Sequence, residues 1–258
     1  MEKSRSANIG RMAGLYSALY LIAFLIFYIP NYVFEDYFIN LPSGQLDAFL
    51  FFRSAAEKAV QYFVPVSAAA VLLLRSAERG IGSIFLPSLT MSLSSLVYAL
   101  PYCYLYALSL GYDSVEGLLI SLGLSAVGVV LVAVSIVALT LVARTAAGIL
   151  IGKSLTDLSG GRRLALQRVL WNSLTPDGAF SLSSPLSCGI FASGLTVFLI
   201  QTVTEIISVV SFFAEDGAYF EIGDIIYIAC TFIFLLLELV GCHAACYFIS
   251  KKIKEKDS

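Results

Sequence analysis

Glu205 and Glu238 are acids set inside long apolar runs, at 185–213 and 225–249. A carboxylate at the centre of a membrane helix costs on the order of 2.5–3.5 kcal/mol to insert. Such groups commonly mark an ion, proton or solute path. Gln201 lies one helical turn before Glu205, with Gly194 and Ser208 on the same face. On the last run, Thr231, Glu238, Gly241, Cys242 and Ala245 form a similar face of small and polar groups. Helical rise puts Gln201 and Glu238 at comparable depth, roughly 18–20 Å from the outer ends of their runs, where they can pair. Glu205 sits about one turn nearer the outer surface. Gln201, Glu205 and Glu238 are therefore the candidate polar site. It reads either as a site for an ion or solute, or as interhelical hydrogen-bond glue.

Other chemistry finds less support. His243 is the only histidine, and Cys242 beside it points elsewhere on the helix. A zinc site needs three or four ligands, so no metal and no cofactor are expected. A histidine-based hydrolase needs a positioned nucleophile and oxyanion donors, and no such set is recognisable. No enzyme activity is therefore expected. Ala147-Gly148-Ile149-Leu150-Ile151-Gly152-Lys153-Ser154 loosely fits a phosphate-binding loop, and Leu158-Ser159-Gly160-Gly161 follows it. A phosphate loop requires a strand before it and a helix after it, whereas these glycines close an apolar run. Cys103, Cys188, Cys230, Cys242 and Cys246 all lie in apolar segments. That is no disulfide framework, and buried cysteine acts as a small hydrophobe.

Ser88, Thr90, Ser92, Ser94, Ser95, Tyr98, Tyr102, Tyr104 and Tyr106 crowd the third apolar run, together with Pro87 and Pro101. Hydroxyls can satisfy carbonyls freed by proline; lining a solute path is their alternative use. The pairs Gly10/Gly14 and Gly148/Gly152 permit close helix approach, but both lie near run ends. In 162–174, read as a helix, Leu166, Val169, Leu170 and Leu174 share one side and Trp171 flanks them. With Arg162, Arg163 and Arg168, this makes a basic amphipathic helix of the kind that lies in the headgroup plane. A linker at the membrane surface or a docking helix for a cytoplasmic partner both fit it.

The elements that must position these groups follow from composition. Of 258 residues, 59% are hydrophobic and 13% charged, with mean hydropathy +0.87. Soluble domains are nearer 45–50% apolar with about a quarter charged. The excess falls in runs long enough to cross a bilayer. We read an all-α integral membrane protein, a single domain over 1–258 with six transmembrane helices at about 12–34, 55–74, 81–110, 115–151, 185–213 and 225–249. The loop 152–184 carries the interfacial helix. The third run would be roughly 45 Å long if straight, against about 30 Å of hydrocarbon, so tilt or a proline kink is expected.

Charge sets the orientation. The amino-terminal segment, the turn at 75–80, the long loop and the tail, with Arg144, hold every Lys and Arg except Arg53 and Lys58. The alternate segments hold Glu35, Asp36, Asp47, Asp113, Glu116, Glu215, Asp216, Glu221 and Asp224. Positive flanks remain cytoplasmic, so both termini are expected in the cytoplasm. The first run is too long for a signal peptide, and no small-x-small site follows it. The connectors at 34–38 and 215–220 resemble each other weakly, as interfacial acids and aromatics do in general. The ending Lys254-Glu255-Lys256-Asp257-Ser258 fits a di-lysine retrieval pattern, although short basic tails are common after a last span. The outer connectors lack an N-x-S/T acceptor, which favours a bacterial plasma membrane over a eukaryotic endomembrane.

The expected function is a small transporter, or the permease-like membrane subunit of a transport complex, for an ion or small solute. Its partners would be the lipid bilayer and a cytoplasmic or membrane subunit, with no nucleic acid. A non-catalytic accessory or scaffold protein is the alternative, and an intramembrane enzyme the third.

Overall fold

The computed structural model describes residues 2–27, 58–73, 75–76, 81–150, 185–216 and 222–257. All regular structure among them is helical, with no strand. The helices are α1 (Glu2–Phe27), α2 (Lys58–Leu73), α3 (Phe85–Ser92), α4 (Leu96–Ser109), α5 (Ser114–Leu150), α6 (Pro185–Asp216) and α7 (Ile222–Asp257). Five stretches among the described residues are long and apolar enough to cross a membrane: Ile9–Ile26, Gly82–Ser109, Ser114–Ile149, Ser187–Ser211 and Ile228–Ala245. α2 is a shorter apolar helix, roughly 24 Å long at 1.5 Å per residue. Their outward side chains include Leu119, Val130, Ile207 and Leu237, each more than half exposed. A water-soluble monomer rarely carries so large an apolar surface, whereas hydrocarbon accepts it.

Two compact units divide the described residues, Met1–Ala68 with Arg79–Ala138, and Ala69–Glu78 with Leu139–Ser258. In the first, α1 packs on α3 and α4. Tyr16 meets Ser67 of α2 in a buried hydroxyl–hydroxyl bond of 2.9 Å. Tyr20 and Phe24 lie against Tyr98, each with ring centroids 6.4 Å away, and Tyr98, Tyr102 and Tyr106 stack along α4.

The break in the third run falls among serines. A 3-10 turn at Leu93–Ser95 joins α3 to α4, well before Pro101. Ser92, Ser94 and Ser95 donate to the carbonyls of Leu89, Met91 and Ser92, each three residues back. Hydroxyls that take up nearby carbonyls compete with the α-helical ladder, and the 3-10 turn here is the tighter arrangement.

The turn after α4 is specified by two residues. Gly111 adopts φ +88°, the left-handed geometry that ends a helix readily when no Cβ is present. Asp113 Oδ1 then accepts from the amides of Val115 and Glu116, both at 2.8 Å, capping α5.

In the second unit, Arg144 is expected at the end of a span but is only 7% exposed. Its Nη1 donates to Ser76 O at 3.0 Å, placing a cation on a carbonyl just past α2. Gly189 provides a close helix approach that the sequence did not single out. A Cβ there would stand 2.7 Å from Ala143 O and 3.0 Å from Leu73 Cδ2. At Gly10 and Gly14 an added Cβ meets nothing within 4 Å, so that pair marks no contact among the described residues.

Candidate functional site

α6 begins at Pro185, a residue suited to a first helical turn because its missing N–H would have no partner there. It packs along α7. The buried side of α7 runs through Thr231, Leu235, Leu239 and Cys242, spaced as one helical stripe. Toward the far end of α6 the pairing leaves a cavity of about 100 Å³ between the two helices. Glu205, Ile206, Val209 and Val210 form one wall, and Ile228, Thr231 and Phe232 the other. Glu205 is half-buried. The cavity thus brings together an acid, a buried hydroxyl and apolar side chains.

Of the three residues expected at the polar site, only Glu205 lines this cavity. Gln201 is half-buried, and its Oε1 is shielded and accepts no hydrogen bond among the described residues. Pairing with Glu238 through that oxygen is therefore not made. Glu238 is also half-buried, with Oε2 shielded. Gly241, assigned to the same polar face, is exposed, and a Cβ added there meets no atom within 4 Å. Arg162, Arg163, Arg168 and Trp171 lie outside the described residues.

A second polar meeting has no motif to announce it. Ser187 Oγ lies 3.1 Å from His243 Nε2, and the edge of Phe191 meets the imidazole at 5.9 Å and 82°. A serine beside a histidine is the start of a nucleophile–base pair. Here Ser187 is 0% and His243 6% exposed, so no substrate reaches the hydroxyl in this conformation. Neither side chain lines the α6–α7 cavity.

The first unit holds a larger cavity, about 290 Å³, between α1, α2, α4 and α5 with the 3-10 turn. Ser95 and Tyr98 were visible as part of the hydroxyl- and aromatic-rich third run. Tyr20, Gln61 and Ser135 were not, because each is a single polar group in a different apolar helix and no sequence period links them.

These helices and their apolar exterior are compatible with a membrane protein. Comparison of the chain with known protein families, curated proteins and solved structures finds no match.

Proposed function

We propose that the chain is a small multi-pass transporter, or the permease-like membrane subunit of a transport complex, for an ion or small solute. The observation that carries this reading is Glu205 on the wall of a cavity between two membrane-length helices, opposite Thr231. Inserting an acid into hydrocarbon is costly, and functional polar paths are where that cost is commonly met. Gln201 and Glu238 extend the polar site along the same two helices. The reading takes α2 as a sixth span and both termini as cytoplasmic, in a bacterial plasma membrane, and includes no catalysis. The segment 162–174, with Arg162, Arg163, Arg168 and Trp171, is its contact with lipid headgroups or a cytoplasmic subunit.

Reconstitution into vesicles loaded with proton- and sodium-sensitive dyes tests this. Wild-type protein should pass one of these ions faster than empty vesicles. Glu205→Gln should abolish the flux and Glu238→Gln should reduce it. Full flux through Glu205→Gln would remove Glu205 from the path.

An accessory or scaffold role is the second reading. It is favoured by the outer half of α6, where Ile200, Val203, Ile207 and Val210 stand exposed and suit either lipid or a partner helix. A partner that co-purifies in the absence of any flux would favour this role.

A further inference from the structure

We propose that the cavity of the first unit binds a small uncharged ring compound bearing an N–H or O–H donor, of the indole or phenol class. This site is separate from the α6–α7 cavity and does not depend on the transport reading. Its volume, about 290 Å³, is at the lower end of the range for small-molecule sites, so the occupant is one ring or two fused rings.

The walls specify the chemistry. Tyr20 and Tyr98 both face the cavity, their rings tilted by 43° with centroids 6.4 Å apart, a surface suited to stacked and edge-on contact with another ring. Two of the polar groups, Ser95 and Ser135, act as acceptors toward the cavity. Ser95 spends its proton on Ser92 O at 2.7 Å and Ser135 on Leu131 O at 2.8 Å, so each oxygen offers only lone pairs inward. A ring compound with a donor satisfies these oxygens. The described lining residues include no charged side chain, so an ionic ligand would enter without a counter-charge, which is unfavourable in an apolar site.

Gly128 provides the means of testing this. It lines the cavity, and a Cβ built on it meets no atom within 4 Å, so a larger side chain there grows into the cavity space. Gly123, on the same helix, also has open space at its Cβ but does not line the cavity.

The experiment is equilibrium binding of radiolabelled indole to the full chain in lipid nanodiscs, with empty nanodiscs as baseline. Competitors are benzofuran, which has the same shape without the N–H, and benzylammonium. Saturable binding is expected in wild type and in Gly123→Leu, and none in Gly128→Leu. Benzofuran should compete about five- to tenfold more weakly than unlabelled indole, the worth of one hydrogen bond. Benzylammonium should compete still less. Ser135→Ala, which removes one acceptor without filling space, should weaken indole and leave benzofuran unchanged. Thermal unfolding of each variant without ligand separates lost binding from lost fold. Binding no greater than in empty nanodiscs, undiminished binding in a folded Gly128→Leu, or benzofuran or benzylammonium matching indole would each overturn the assignment.

Discussion

Ser187 Oγ and His243 Nε2 stand 3.1 Å apart in a buried contact between the first turn of α6 and the later part of α7. The pair ties the start of α6 to α7, well away from Glu205 farther along α6. Removing one partner leaves a shielded polar nitrogen without this bond, at a cost of about 1–3 kcal/mol. Ser187→Ala should therefore lower stability by about that amount, read from unfolding in mixed micelles. The wild-type chain should resist labelling by a fluorophosphonate, because the serine is inaccessible. Rapid labelling at Ser187 would show instead that the hydroxyl is reachable and activated.

Gly189 should tolerate no side chain. Its virtual Cβ lies 2.7 Å from Ala143 O, and backbone cannot move aside as a flexible side chain can. Gly189→Ala is expected to destabilise by about 1–3 kcal/mol as overpacking, and Gly189→Val by more. Gly241→Ala, with open space at its Cβ, is the matched control and should cost little. Equal stability of the two alanine variants would contradict this packing.

The cap at Asp113 gives a local prediction. Asp113→Ala removes an acceptor from two amides and should cost about 0.5–2 kcal/mol. Hydrogen exchange should speed up at Val115 and Glu116 and leave the middle of α5 unchanged. Gly111→Ala should cost about 1–2 kcal/mol, because an L side chain at φ +88° meets the steric penalty of left-handed backbone.

Topology can be checked apart from transport. Tags inserted after Asp113 and after Asp216 should be reached by impermeant reagents from outside intact cells, and one after Lys252 only after lysis. Asp216 and Lys252 in the same compartment would break the alternation of charge on which the six-span reading depends.

The helices themselves were legible because chain length in hydrocarbon is a coarse quantity and apolar runs report it directly. Their faces were less so. In water, the buried stripe of a helix is apolar and the other side polar, so rotation can be read from sequence. Where the outside is also apolar, Leu235 in the packed stripe and Leu236 beside it on the exposed side look alike. Polar residues become the remaining guide. They include Ser95 and Tyr98, which line the larger cavity, but gave no hint that Tyr20, Gln61 and Ser135 line it too. Ser187 and His243 are 56 residues apart, and only the packing of two helices brings them together. Prolines drew attention in the third run, yet its geometry changes at the serines between them.

That serine-rich turn gives the third run the properties of a screw. A 3-10 residue advances about 2.0 Å and turns about 120°, against about 1.5 Å and 100° in an α-helix. Rewinding Leu93–Ser95 into α-helix would retract α4 by about 1.5 Å and rotate it by about 60°. The stacked column of Tyr98, Tyr102 and Tyr106 would turn with it, carrying the Tyr98 ring off Tyr20 and redrawing the wall of the 290 Å³ chamber.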